Sequence, residues 1–141
     1  MAANTLDRLG EHDWVLMLAR ACRLTFKPGE EIIKEGAHGK AIYLIRSGMA
    51  SVQVTRGDRK MEIATLGPGE VCGDMSFLMK TLTSAAVVAK EELVADEMDG
   101  KELDALFESF PGVGLRFYHS LAVVLARRLR DTSNTLAGTK S

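Results

Sequence analysis

Turn signals spaced roughly ten residues apart constrain this chain more than any other feature. They are KPGE at 27–30, EGAHG at 35–39, RSG at 46–48, RGD at 56–58 and GPGE at 67–70. The stretches EIIK, AIYLI, SVQVT, MEIATL and, further on, AAVVA are short and rich in residues that favour strands. Val52 and Val54 alternate with polar neighbours, the period-two pattern of a strand with one wet face. Short strands at this spacing predict a β sandwich or barrel over residues 23–98. TRGDRK, 55–60, reads as a hairpin turn in which Gly57 supplies a positive φ. The other reading of RGD is an adhesion motif, but nothing else in the sequence is extracellular in character. Gly29 and Gly69 each follow a proline and read as turn glycines rather than parts of a dinucleotide loop.

Helical patterns flank the strands. In residues 1–22, Asn4 can cap a first helical segment whose apolar residues are Leu6, Leu9, Trp14, Leu16, Met17, Leu18 and Ala19, with Gly10 breaking it into two short helices. In 99–136, DGKELDALFESFP puts Leu103, Leu106, Phe107 and Phe110 on one face and ends at Pro111. A longer helix follows from about 113 to 136 and carries two stripes. Tyr118, Ala122, Leu125, Leu129, Thr132 and Leu136 recur in steps of four and three, while Phe117, Leu121 and Val124 form a second face. A helix that packs only on its own domain needs one stripe. The second predicts a partner, most simply a second copy of the chain, although a single wide buried face would give the same pattern.

With 141 residues the chain is expected to be one domain, large enough for a core without disulfide or metal staples. Its formal net charge of −1 supplies no global field for nucleic acid or anionic lipid. No apolar run approaches a membrane span, and the polar, acidic start has no signal-peptide character, so a cytoplasmic location is expected. Cys22 and Cys72 sit in apolar surroundings and read as two buried free thiols of a reduced compartment.

IIKEGAHGKAIYLIRSG at 32–48 and CGDMSFLMKTLTSAAVVA at 72–89, read together, resemble the cyclic-nucleotide-binding domain family. IIKEGAHGKAIYLIRSG, 32–48, has two aliphatics, Gly36, Gly39, four consecutive apolar residues and Gly48, and follows the family's first signature at every position. CGDMSFLMKTLTSAAVVA, 72–89, stands where that family has its phosphate-binding cassette. Gly73, Ser76, Ser84, Ala85, Val87 and Ala89 fit the cassette; Asp74 stands where glutamate is usual and Thr83 where an arginine is expected. LARRLRDTS, 125–133, is similar to the central helix of the bacterial catabolite-activator branch, in which that helix makes the dimer and a Thr-Ser pair reaches the purine. The resemblance is to that branch without its DNA-binding domain. It implies an eight-stranded β jelly roll with short N-terminal helices and a long C-terminal helix, and no catalysis.

The resemblance also assigns roles. Gly73 allows close backbone approach, the amides at the turn that begins with Met75 and Ser76 face the phosphate, Asp74 takes the ribose hydroxyl, and Ser84 donates to the phosphate beside Ala85. Thr132 and Ser133 reach the base from the same or a partner subunit. The departure at Thr83 matters because an arginine gives two parallel charge-assisted bonds that a hydroxyl cannot replace. At roughly 1.5–3 kcal/mol per bond to a charged group, its loss costs one to three powers of ten or more in affinity. Lys80 is the cation within the loop that can compensate, whereas Arg127 and Arg128 are by default surface or interface residues.

Two readings therefore stand. One is a regulatory domain that binds cyclic AMP or cyclic GMP, shifts population on binding and signals through the last helix. The other is a degenerate domain that dimerises, docks a protein or binds another ligand. Enzyme chemistry has no support: His12, His38 and His119 are scattered, with no HExxH spacing and no paired carboxylates read on one helix face. Cys72 reads as a buried thiol before a redox sensor, and Met75 and Met79 as core residues before metal ligands. Two cysteines cannot hold an iron–sulfur cluster without further ligands from elsewhere, so no cofactor or metal is expected.

Overall fold

The structure is a computed structural model that describes the backbone of residues 5–140 and the side chains of residues 5–133. The elements run α1 (Glu11–Leu18), β1 (Cys22–Phe26), β2 (Glu31–Ile33), β3 (Ala41–Ser47), β4 (Ala50–Arg56), β5 (Arg59–Leu66), β6 (Val71–Cys72), α2 (Asp74–Met79), β7 (Ala86–Ala89), β8 (Leu93–Asp99), α3 (Gly100–Ser109) and α4 (Pro111–Lys140). Two antiparallel four-stranded sheets, β1-β8-β3-β6 and β2-β7-β4-β5, form the expected jelly roll. Every consecutive pair of strands crosses between the sheets except β4 and β5, which closes the sandwich. β4 and β5 are joined through the predicted hairpin at Gly57, φ +66°.

The run Ile42 to Ile45 explains why one sheet can serve two cores. Side chains alternate across a strand. Ile42 and Leu44 face a core built with α1, α3 and α4, whereas Ile45 faces the core between the sheets beside Leu93 and Val87. The helical core centres on Phe117, which is fully buried and meets Phe107 and Phe77 at centroid distances of 5.0 and 5.9 Å. α3 starts where the Asp99 carboxylate accepts from the Glu102 N–H, and α4 starts at Pro111, whose missing N–H costs nothing at a first helical position.

The two stripes of α4 separate as the spacing predicts. Val113, Phe117, Leu121 and Val124 are buried against the domain, while Tyr118, Ala122 and Leu129 are exposed and Leu125 is half-buried. The side chain of Leu136 and the whole of Asn4 lie outside the described residues.

Two expectations for the N-terminal part are corrected. One helix, not two, precedes the strands among the described residues, because Gly10 begins α1 instead of interrupting it. Its N–H donates to Asp13 Oδ2 at 2.9 Å, a bond that sets the first turn after the glycine. Cys22 is exposed rather than buried, since β1 is an edge strand and presents its first residue outward; Cys72 is buried as expected.

The segment before α1 is strapped along α4. Asp7 pairs with Arg127 at 3.2 Å, the Arg8 N–H donates to the buried Ser120 hydroxyl at 2.9 Å, and Arg116 grips the Asp13 carboxylate through two bonds of 2.7 and 2.8 Å. The Arg116 bonds, aided by the Gly10 N–H, hold the Asp13 carboxyl at about 2, below its ordinary 3.8. A depressed folded-state value means that the unfolded chain takes up the proton first. The stabilisation is thus complete above pH 3.8 and is lost as the pH falls toward about 2. We expect the urea midpoints of the unaltered protein and Asp13→Asn to differ most above pH 4 and to converge below it; a constant difference across that range would contradict the assignment.

Candidate functional site

A cleft of about 260 Å³ opens between the β2-β7-β4-β5 sheet, α2 and α4. That lies just below the roughly 300–1,000 Å³ usual for small-molecule sites. Ile33, Val52, Ala64, Leu66 and Val87 give it an apolar floor, and the segments 73–76 and 83–85 wall one side. A second cleft of about 280 Å³, between α1 and α3, is mostly apolar; its polar residues are Asp99, Ser109 and the Arg20–Glu102 pair.

The local sequence dictates the wall. Gly73 has φ +85°, and a Cβ there would lie 2.5 Å from the Ala41 carbonyl oxygen, so only glycine lets the chain leave β6 and enter α2 against β3. Ser76 is buried, with its hydroxyl 3.4 Å from the Gly73 carbonyl oxygen, which it approaches as donor. Asp74 is buried in the cleft at 4 % exposure. Its Oδ2 makes no hydrogen bond and meets Arg128 Nη2 at 3.2 Å as an ion pair. A buried carboxylate is costly without compensation, and the compensating charge here is Arg128.

Arg128 is the residue that sequence reasoning missed as part of the pocket. It lines the cleft from α4. The available signal was its spacing: it stands four residues before Thr132, on the same face of the helix.

The structure brings Gly73, Asp74, Met75, Ser76, Thr83, Ser84 and Ala85 together around the cleft. It does not bring Thr132 and Ser133 there within one chain; both are exposed, a turn further along α4. Lys80 also faces elsewhere. It adopts φ +56° at the end of α2, lies 4.3 Å over the Phe77 ring and pairs with Asp104 at 3.2 Å. The cation that lines the cleft is Arg128 instead. Met75 and Met79 are exposed, correcting their assignment to the core: the short α2 buries Phe77 and leaves Met75, at the cleft, and Met79 accessible.

Burial pushes the Cys72 thiol up to about 12, the Asp74 charge adds to the shift and Arg128 opposes it. Such a thiol is not a nucleophile at neutral pH. No group of three His, Cys, Asp or Glu gathers to hold a metal ion, and no helix is long and apolar enough to cross a membrane, among the described residues.

Comparison with known proteins agrees with this geometry. The family described as "Cyclic nucleotide-binding domain" matches residues 23–110. The cyclic AMP receptor protein of Thermus thermophilus is 36% identical over 82% of this chain and 52% of its own length. Cyclic GMP-binding protein C of Dictyostelium discoideum is 32% identical over 98% of this chain but 5% of its own. The chain therefore spans about half of the first relative and a small part of the second. The crystal structure of the Thermus thermophilus catabolite activator protein superposes with a TM-score of 0.78 at 33% identity, over 94% of this chain and 61% of that one. A cyclic nucleotide-binding domain from Methylobacillus flagellatus gives 0.84 at 20% identity, over 93% and 74%, and shows the shared fold.

The two thiols give a direct check. In native protein at neutral pH, an aromatic disulfide reagent should titrate Cys22 promptly and Cys72 only after denaturation. Prompt release of two equivalents would contradict the placement of Cys72.

Proposed function

The chain belongs to the cyclic nucleotide-binding domain family, and from that premise we propose that it is a non-catalytic regulatory module whose cleft takes a cyclic purine nucleotide. The observation that carries this reading is the Asp74–Arg128 pair at 3.2 Å inside the cleft. Asp74 lines the cleft, and a carboxylate is suited to accept from a ribose hydroxyl. Arg128 supplies positive charge beside the place an anionic phosphate would occupy. Ser84 lines the cleft and offers a hydroxyl, and the first amides of α2 have no partner within their helix. The apolar floor suits the flat face of a purine.

Because Arg128 belongs to α4, a nucleotide that engages it acts on the helix directly. The ligand shifts the helix only by its differential affinity for the two states. The outward stripe of Tyr118, Ala122, Leu125 and Leu129 supports a homodimer through α4, which would also bring the partner's copy of the exposed Thr-Ser pair within reach of the base. A second reading has its own observation. The Thr83 hydroxyl is already bonded within the chain, so the position that carries arginine in the family offers a nucleotide no charge. On that reading the domain is a dimerising or docking module.

Calorimetric titration with cyclic AMP and cyclic GMP separates the two. Saturable binding by the unaltered protein, weakened about 10- to 100-fold in Arg128→Ala through loss of a charge-assisted contact, is expected. No binding of either nucleotide, with a dimer in sedimentation at all nucleotide concentrations, would overturn the first reading and leave the second.

A further inference from the structure

The wall of the cleft is fastened from behind by the loop between β2 and β3. Thr83 is 8 % exposed, and its side chain is committed to that loop. Its hydroxyl donates to the Lys34 carbonyl oxygen and accepts from the Ala37 N–H at 3.0 Å. Its backbone makes two more bonds to the same loop: its N–H donates to the Ala37 carbonyl at 2.8 Å, and its carbonyl accepts from the Gly36 N–H at 2.9 Å. Next to it, Leu82 pairs with His38 as an isolated antiparallel bridge. On the other side of the loop, Gly39 abuts α2 so closely that a Cβ would lie 1.9 Å from Ser76 Oγ. Residues 34–39 therefore touch the wall at both of its segments.

A threonine hydroxyl has a single proton to donate. Here that proton goes to Lys34, so the side chain has none left for a ligand oxygen. We infer that Thr83 is a positioning residue: it pins the wall to the β2–β3 loop, so that the amides of 73–76 and the Ser84 hydroxyl are set before any ligand arrives. An arginine at this position would bind a phosphate; the threonine binds the chain itself. The pin extends the ligand machinery to residues 34–39, which contribute no charge to the cleft. A guanidinium has no acceptor, so Thr83→Arg would orphan the Ala37 N–H and leave the loop to its backbone bonds alone. The inference rests on the cleft's being a ligand site only for its functional consequence; the pin itself is read without ligand.

Residue-resolved amide exchange on the nucleotide-free protein tests it. Thr83→Val keeps the shape and removes the hydroxyl, whereas Thr83→Ser keeps the hydroxyl. In Thr83→Val, exchange at 36–37 and 73–76 should rise about tenfold or more, from the loss of two bonds, while β3 and β8 hold their rates. Thr83→Ser should restore protection, and Thr83→Arg should behave as the valine variant. In the unaltered protein, the amides of Gly36 and Thr83 should open together. Unchanged exchange at 73–76 in Thr83→Val, or separate opening of Gly36 and Thr83 in the unaltered protein, would overturn the pin. The second readout decides the matter if the valine variant does not fold. A parallel titration with cyclic AMP should show Thr83→Val weaker than the unaltered protein and Thr83→Ser close to it. If neither cyclic AMP nor cyclic GMP binds the unaltered protein or any variant, the proposed function fails and the exchange result still decides the pin.

Discussion

A carboxylate buried in an apolar cleft sets the terms for the rest of this molecule. Asp74 leaves water at the point where the chain turns from β6 into α2, and among the described residues the sheet positions that line the cleft carry no positive charge. The balance comes from Arg128, more than fifty residues later in sequence. A lone buried charge is expensive, and removing one partner of such a pair costs more than the pair contributes. The ion pair therefore ties the C-terminal helix to the pocket, and a jelly roll with a helix beside it becomes a pocket that the helix completes.

α4 can reach the pocket because its register is fixed between Val113 and Val124. Val113, Phe117, Leu121 and Val124 seat it on the domain, and the aromatic contacts of Phe117 join it to both α2 and α3. The N-terminal strap adds polar bonds at Arg116, Ser120 and Arg127. Arg127 and Arg128 are neighbours that pair in different directions, one with the strap and the other with the cleft. One turn of helix thus senses both the pocket and the N-terminal segment. A ligand that altered the Arg128 contact would act on a turn already held from the other side, a physical route from binding to the ends of the domain.

Much of this was legible in the sequence, for particular reasons. The turn signals fixed where strands could lie, and the run Ile42 to Ile45 showed a strand buried on both faces, because glycine placement and side-chain periodicity are local properties. The two stripes of α4 were legible for the same reason. What was not legible depends on contacts between distant residues. Thr83 read as a weakened ligand contact, and only the placement of 34–37 behind it accounts for its hydroxyl. Arg128 read as a surface residue because nothing local reveals that its side chain meets Asp74. Lys80 read as the cation of the loop, but Phe77 and Asp104 claim it. Cys22, Met75 and Met79 read as interior by composition, whereas an edge strand and a short helix turn them outward.

The account stands most directly on the coupling between Asp74 and Arg128. A double-mutant cycle with Asp74→Asn, Arg128→Gln and the double variant, read by urea unfolding without nucleotide, measures it. The account predicts that the two changes are not additive, with a coupling of about 1–3 kcal/mol in favour of the pair. Additivity within roughly 0.3–0.5 kcal/mol would mean that the two residues do not act on each other, and that α4 does not complete the pocket.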